Sequence, residues 1–584
     1  MPEQKQVTLT IDGTKITVKE GTTILEAAKQ AGIDIPTLCF LKEINEMGDC
    51  RMCIVEVEGR KGFATSCIQK VEEGMVVKTN TPEVLEARRT LLDLIISNHS
   101  KDCLICTRSG NCELQALAIK FHIQDIEYPG ERTKHVIDDK SPAIVRDFEK
   151  CILCRRCVGA CKNVQKIGAI DCVGRGFESC VSTALDSSLN DVDCTFCGQC
   201  IEACPTGALK EKDSTKDVWK ALKNPDKVVI AQTAPAVRAA LGEEFGMPIG
   251  TNVTGKMITA LKKLGFYKVF DTNTGADLTI MEEANEFIER FSKNENLPMI
   301  TSCSPGWVRF AEKNYPELLD HLSTCKSPHQ MFGAIIKSYY AKKYEIDPSK
   351  IYMVSVMPCI AKKYECSRPE MEVDSLRDVD AVITTRELAR MLKQANIIFE
   401  ELEDGTFDSP MGEATGAGAI FGTTGGVMEA AIRTVADTLE GKSLKQIDYE
   451  AVRGGKGIKR ATVSIQGKEI KIVVASGLAN ARIIMEEIKQ GKADYQFVEI
   501  MACPGGCVMG GGQPIKSSKI RREVDVRKLR ADCLYSIDEK STIRKSNESP
   551  VMKELYQEFL EKPGSKIAHK LLHTTYHKEE KYKI

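Results

Sequence analysis

The chain has 584 residues, 28% of them charged, and its 81 basic and 82 acidic side chains leave a net charge of −1. That balance excludes the basic surface of a nucleic-acid binder, and no run approaches the roughly eighteen apolar residues of a membrane span. The composition stands out only in its 24 cysteines. The start, MPEQKQVTLT, lacks a secretory pattern, so the expectation is a cytoplasmic protein whose thiols bind metal and do not pair as disulfides.

Residues 7–18 alternate apolar and polar around Asp12-Gly13, which predicts a hairpin with a two-residue turn. Thr23 and Glu26 form a capping box that opens a short helix stopping at Gly32. Cys39-x10-Cys50-x2-Cys53-x13-Cys67 follows. A hairpin, a helix and four cysteines over residues 1–80 resemble a plant-type 2Fe–2S ferredoxin domain, with a zinc site as the alternative.

Residues 83–97 are helical by pattern and lead into His99-x3-Cys103-x2-Cys106-x5-Cys112. That donor set suits zinc or a His-ligated 4Fe–4S cluster. Its place between two iron–sulfur modules favours the cluster, in a domain of residues 81–125. Residues 140–210 carry two C-x2-C-x2-C-x3-C runs, Cys151, Cys154, Cys157, Cys161 and Cys194, Cys197, Cys200, Cys204, the second closed by Pro205. In this spacing three thiolates of one run hold a cubane and the fourth reaches the other cluster. The predicted sets are Cys151, Cys154, Cys157 with Cys204, and Cys194, Cys197, Cys200 with Cys161.

After about residue 225 apolar runs such as 228–230 and 351–356 alternate with helical stretches such as 254–265 and 386–395. The expectation is an α/β domain of residues 220–525 with buried parallel strands. Residues 526–584 read as a charged, mostly helical, peripheral extension. The fold class is therefore multidomain, α+β ferredoxin-like modules ahead of a large α/β domain.

Three loops in the α/β part carry cysteines outside any ferredoxin spacing: 301–307 with Cys303, 357–365 with Cys359, and 499–514 with Cys503 and Cys507. Each follows a strand-like segment, and strand ends in open α/β sheets gather ligands. By spacing alone they are either one buried cluster site or scattered core cysteines.

These loops, Thr301-Ser302-Cys303-Ser304-Pro305-Gly306-Trp307, Met357-Pro358-Cys359-Ile360-Ala361-Lys362 and Met501-Ala502-Cys503-Pro504-Gly505-Gly506-Cys507, resemble the three signature motifs of the iron-only (di-iron) hydrogenases. The module order resembles that family's clostridial monomeric type. The resemblance implies an H-cluster, a 4Fe–4S cubane bridged by a cysteine to a di-iron unit with CO, cyanide and a dithiolate. Together with one 2Fe–2S and three accessory 4Fe–4S clusters it makes up the expected cofactor set. Cys359, Cys503 and Cys507 match ligand positions, Cys507 as the bridge. Lys362 matches the cyanide donor, Pro235 a pocket residue, and Met357 and Met501 the thioethers beside the di-iron unit. The family's proton relay maps onto Cys303, Glu283, Ser323 and Glu286, with Arg290 beyond. On sequence alone, residues 281–286 look like a solvated helix face.

One position departs from the family. Its first motif usually has two adjacent cysteines, a proton relay and a cubane ligand. Here the pair is Cys303-Ser304, and an alkoxide is a harder ligand than iron–sulfur chemistry favours. Either Ser304 ligates, or Cys303 takes the ligand role and the relay changes.

The glycine-rich run 415–426 satisfies neither G-x-G-x-x-G nor a Walker motif and reads as close backbone packing near the cofactor. Cys172, Cys180, Cys325, Cys366 and Cys533 read as ordinary small residues, and His569, His573 and His577 as an exposed helix face. The function expected is a cytoplasmic hydrogenase interconverting protons and H2 with ferredoxin or flavodoxin, loaded by maturation proteins, without nucleic-acid or membrane partners. The alternatives are the catalytic subunit of an NADH-linked bifurcating complex with other redox subunits, a hydrogen-sensing or iron–sulfur assembly homologue, and a relay subunit like that of complex I or formate dehydrogenase. Only Cys533 follows Cys507, against the extra cluster domain of many bifurcating subunits. The relay reading leaves the three later loops unexplained.

Overall fold

In the computed structural model, residues 5–132, 136–441, 449–454, 457–465 and 467–583 are described. The hairpin forms from Gln6–Ile11 and Thr14–Lys19, with Asp12 and Gly13 both left-handed at φ 47° and 82°. That twist matches the flanking strands. The hairpin joins Ile54–Val57, Phe63–Thr65 and Val76–Lys78 in a five-stranded mixed sheet. Helix Ile24–Gln30 covers one face with Leu25, Ala27 and Ala28, its first turn capped by the Thr23 hydroxyl accepting from the Glu26 amide at 3.2 Å. Helix Pro82–Ser97 docks on this unit through Arg88, whose guanidinium donates to the Ile54 carbonyl at 2.6 Å.

The two-cubane segment is pinned by two short antiparallel strands, Ile144–Arg146 and Leu209–Glu211. The α/β part holds two four-stranded sheets. In one, Lys268–Asp271, Val228–Thr233, Ile351–Met357 and Ala381–Thr384 are all parallel. In the other, Met299–Ile300 and Phe497–Met501 run parallel to Lys468–Ser476, and Ile458–Ile465 closes the edge antiparallel. The central strands are buried on both faces, as parallel sheets covered by helices require. Four strands, Val228–Thr233, Met299–Ile300, Ile351–Met357 and Phe497–Met501, send the loops at their carboxyl ends to one cavity between the sheets.

Three expectations need correction. The C-terminal extension is not peripheral. Tyr556, Leu560, Leu571 and Leu572 belong to the largest hydrophobic core, and Arg530, Asp538 and Lys545 are buried. The three histidines do not share a helix face. Helix Lys566–Leu572 stops before His573, which is extended and buried in its side chain, and His577 lies beyond it. Residues 281–286 are no solvated face. In helix Thr272–Lys293, Glu282 and Glu283 are fully buried, because the helix is wrapped by helix Pro328–Ile335, helix Gly426–Glu440 and the C-terminal segment.

Candidate functional site

All 24 cysteines are free thiols. Cys39, Cys50, Cys53 and Cys67 sit together in the first module. The Cys39 amide donates to the Cys50 sulfur at 3.3 Å and the Cys50 amide to the Cys39 sulfur at 3.4 Å. Amide donors aimed at sulfur suit thiolates holding a cluster. His99 is half-buried, its Nδ1 enclosed with no partner, and desolvation pushes its pKa down to about 4, so it is a neutral donor. Cys106 lies against Gly207, where a Cβ would come within 2.6 Å of its sulfur. The Glu113 amide donates to the Pro205 carbonyl at 3.0 Å. The one-histidine segment is thereby tied to the two-cubane segment.

In that segment Cys151, Cys154, Cys157 and Cys204 line one cavity, the set expected from spacing. Cys161, Cys194, Cys197 and Cys200 face one another as the second set. Both loops bend alike. Leu153 and Arg155 in the first, and Phe196 and Gly198 in the second, are left-handed, at φ 53°, 59°, 55° and 74°. Such residues cost energy and turn amides inward, as an anionic cluster requires. Burial pushes Cys151 up to about 12 and Cys161 up to about 11. Thiols that buried ionise only against a cation.

Contacts place the donor sets in series. Asn45 Nδ2 donates to the carbonyls of Cys39 at 2.9 Å and Cys154 at 3.0 Å. The Cys503 thiol lies 3.9 Å from the Cys197 carbonyl, and Cys197 lines the α/β cavity. Gly198 packs so tightly there that a Cβ would meet Ile360 at 2.5 Å and the Gly511 backbone at 3.1 Å.

The α/β cavity is lined by Pro235, Cys303, Ser304, Met357, Cys359, Lys362, Met501, Cys503 and Cys507, together with Phe421 and Gly422 of the glycine-rich run. All the predicted cavity residues meet there. Lys362 Nζ donates to the Cys303 carbonyl at 3.1 Å and to Glu365 at 2.8 Å. Glu365 also takes His329 Nε2 at 2.5 Å and the Ser327 hydroxyl at 2.9 Å. Against the opposing effect of burial, Lys362 and His329 hold its pKa down to about 2. Ser304 Oγ accepts from the Ala502 amide at 3.3 Å, next to Cys503. Burial first, and then the field of Glu283, pushes the Cys303 thiol pKa well up, while Lys362 opposes the shift.

Behind Cys303 the helix Thr272–Lys293 supplies carboxylates. Glu283 is fully buried, with only the Ser323 hydroxyl and the Ser302 backbone to favour its charged form, and burial first, then Glu286, pushes its pKa up to about 8. The Ser323 hydroxyl donates to Glu286 at 2.8 Å, and Arg290 to Glu286 at 2.7 Å. A row therefore leads from the cavity at Cys303 past Glu283, Ser323 and Glu286 to Arg290, whose side chain is part-exposed. Sequence reasoning gave no role to Glu365, His329 or Glu499. Glu499 accepts from the Gly425 and Met428 amides at 2.7 Å, holding the helix that starts at Gly426 against the cavity loops. Glu365 and Glu499 fell inside quoted motifs but carried no spacing signal. His329 had none.

The donors fit the groups expected here: soft thiols in clustered sets, thioethers beside them, and buried amides without a competing metal chemistry. A thiol-lined cavity at strand ends, in contact with ferredoxin-like modules, defines an iron–sulfur redox enzyme.

The chain belongs to the iron-only hydrogenase family. Residues 227–511 match the iron only hydrogenase large subunit, C-terminal domain, and residues 524–579 the iron hydrogenase small subunit. Residues 4–82 match a 2Fe-2S iron-sulfur cluster binding domain, 88–127 the NADH-ubiquinone oxidoreductase-G iron-sulfur binding region, and 141–210 the NADH-quinone oxidoreductase subunit 3 ferredoxin-like domain. The chain is 52% identical to the NADP-reducing hydrogenase subunit HndD of Solidesulfovibrio fructosivorans, over 98% of this chain and 99% of that protein. It is 45% identical to iron hydrogenase 1 of Clostridium pasteurianum, over 98% and 100%. The solved apo [FeFe]-hydrogenase HydA1 from Chlamydomonas reinhardtii superposes with a TM-score of 0.56 at 40% identity, over 63% of this chain and 99% of that one. Among the described residues no helix is long and apolar enough to cross a membrane.

Proposed function

We propose that this chain interconverts protons and H2, taking electrons from a ferredoxin or flavodoxin through one 2Fe–2S and three accessory 4Fe–4S sites. The observation that carries the reading is the convergence of Cys359, Cys503, Cys507, Lys362, Met357, Met501 and Pro235 on one cavity backed by the Cys303–Glu283 row. An H-cluster bound there supplies the open metal site at which the reaction occurs. Cys359, Cys503 and Cys507 would hold it as thiolates, with Ser304 at the fourth position. Cys303 keeps the relay role, because its neighbours are Glu283 and Lys362 whereas Ser304 sits on the Ala502 amide.

The protein's part is proton delivery and shelter. Glu286 takes a proton from the Arg290 side, Ser323 passes it inward, and Glu283, neutral below about pH 8, hands it to Cys303. Lys362, fixed by Glu365 and the Cys303 carbonyl, lines the cavity and would offer its ammonium to anionic ligands of the bound group. Phe421, Gly422 and the two methionines give the cavity an apolar lining.

Full-length similarity to an NADP-reducing hydrogenase subunit favours a second arrangement, in which this chain is the hydrogen-active subunit of a pyridine-nucleotide-linked complex. Leu104 and Ile105, fully and 81% exposed beside Cys103 and Cys106, give that module an apolar outer face for a redox subunit. The test is H2 evolution from reduced viologen by anaerobic protein reconstituted with iron and sulfide and loaded with synthetic di-iron cofactor. Infrared bands of bound CO and cyanide serve as the loading control. Bands with turnover support the reading, and loaded protein without turnover overturns it. Comparing reduced ferredoxin with NADPH as donor, with and without co-purified subunits, separates the two arrangements.

A further inference from the structure

Outside the cluster sites, Glu286, Cys325 and His573 each offer a metal-ligating atom, and these atoms all lie within 4.8 Å of one another. They come from distant parts of the chain: helix Thr272–Lys293, the strand-like stretch after the turn Pro316–His321, and the residue that ends helix Lys566–Leu572. The backbone fixes two of them. Cys325 and His573 form an antiparallel bridge, the Lys326 amide donates to the Leu572 carbonyl at 2.8 Å, and the Thr574 amide donates to the Thr324 carbonyl at 2.7 Å.

The surroundings are built like those of a metal site. His573 Nε2 lies 3.2 Å from Glu282 Oε2. Glu282 is itself fixed, accepting from the Tyr556 hydroxyl at 2.5 Å and the Gly564 amide at 2.8 Å. A carboxylate on the far ring nitrogen sets the tautomer of ligating histidines and raises their basicity. It leaves the lone pair on Nδ1, which accepts from the Thr324 hydroxyl at 2.7 Å and would have to exchange that partner for a metal. The Cys325 thiol points at Glu286 Oε2 from 3.9 Å. One thiolate, one imidazole and one carboxylate are the mixed soft and borderline donors that zinc accepts, whereas calcium and magnesium require oxygen. Zinc–ligand bonds of about 2.0–2.3 Å put ligand atoms roughly 3.5 Å apart, so the group must close by about an ångström.

We propose that Glu286, Cys325 and His573 form a zinc site, with water as fourth ligand and the Cys325 proton released to solvent on binding. Glu286 is also the outer carboxylate of the proton row. Zinc on its oxygens competes with the Ser323 hydroxyl and shuts proton entry. The inhibitory consequence rests on the relay described above, but the binding does not.

Zn2+ alone is added to anaerobic, iron-replete holoenzyme, the excess is removed, and the protein is studied by metal analysis, zinc-edge X-ray absorption and H2 evolution. The expected result is one zinc per chain with a single sulfur neighbour and the rest nitrogen or oxygen, and turnover lowered on the order of 100-fold. Cys325→Ser and His573→Gln each lose the zinc and the inhibition while their zinc-free turnover and iron content stay as in the parent. Glu282→Gln weakens zinc binding about 10–100-fold. His569→Gln, on the exposed neighbour whose ring centre lies 4.2 Å from that of His573 at a tilt of 37°, leaves it unchanged. Absence of stoichiometric zinc, or its retention in both ligand variants, overturns the proposal. Zinc bound through Cys325 and His573 without effect on turnover supports the site and counts against Glu286 in the relay.

Discussion

Glu283 combines complete burial with a carboxylate neighbour, and both disfavour its charged form more than its contacts with Ser323 and Ser302 favour it. Its folded pKa, about 8, lies above the ordinary value of 4.5. The folded protein therefore binds this proton more tightly than the unfolded chain does. The stability it brings is complete below the ordinary value and is lost as pH rises through about 8. Proton delivery follows the same sign, so H2 evolution should fall above about pH 8. Glu283→Gln should lower turnover by about 10²–10⁴-fold with infrared bands intact, and remove that break from the pH profile. At the neighbouring departure, Ser304→Cys should slow iron release from the loaded cavity to a chelator, because a thiolate replaces a weaker ligand. An unchanged release rate, with iron lost in Cys303→Ala, would assign the ligand role to Cys303. The cavity cysteines were legible because they lie in compact loop motifs. Cys325 and His573 were not, since 248 positions separate them and an isolated backbone bridge brings them together only in the folded chain.

At the scale of elements, the cavity is made by loops at strand ends that touch backbone to backbone. Gly506, at φ 86°, sits where a Cβ would lie 2.7 Å from the Thr424 amide nitrogen, and the Val508 amide donates to the Gly422 carbonyl at 3.0 Å. The glycine-rich run was rightly read as close packing, because its composition admits no phosphate cradle. Its partner loop could not be named from composition. Gly506→Ala should cost about 1–3 kcal/mol for the extended positive-φ backbone alone, at φ 86° and ψ −166°, and more for the clash. It should lower both the melting temperature and the fraction of chains that accept cofactor, read by calorimetry and by infrared intensity. Helix Thr272–Lys293 shows the limit of pattern reading. Its Glu-rich stretch is polar, yet Glu282 and Glu283 are fully buried, and burial rather than sequence gives those carboxyls their chemistry.

Across the whole molecule, the C-terminal segment is a clamp. Arg433, fully buried, pairs with Glu429 at 2.8 Å and with Asp538 at 2.9 Å, and Lys545 pairs with Asp437 at 2.9 Å. Asp538→Asn removes one carboxylate from a buried arginine and should destabilise the protein by about 3 kcal/mol, measured by denaturant unfolding. A change below about 1 kcal/mol would mean that Glu429 alone compensates.

What the sequence determined by itself was whatever a short stretch of chain can hold: the Asp12-Gly13 hairpin, the four-cysteine runs, and the order of modules. In each, neighbouring residues impose the geometry, and a cubane spans only one or two loops. Tertiary structure alone decided which carboxyls are buried, how Asn45 and the Cys197–Cys503 contact put the donor sets in line, and that the C-terminal chain reaches back to Glu282 and Cys325. Those facts depend on packing between elements hundreds of residues apart, where desolvation sets the proton affinities and no local spacing records the contact.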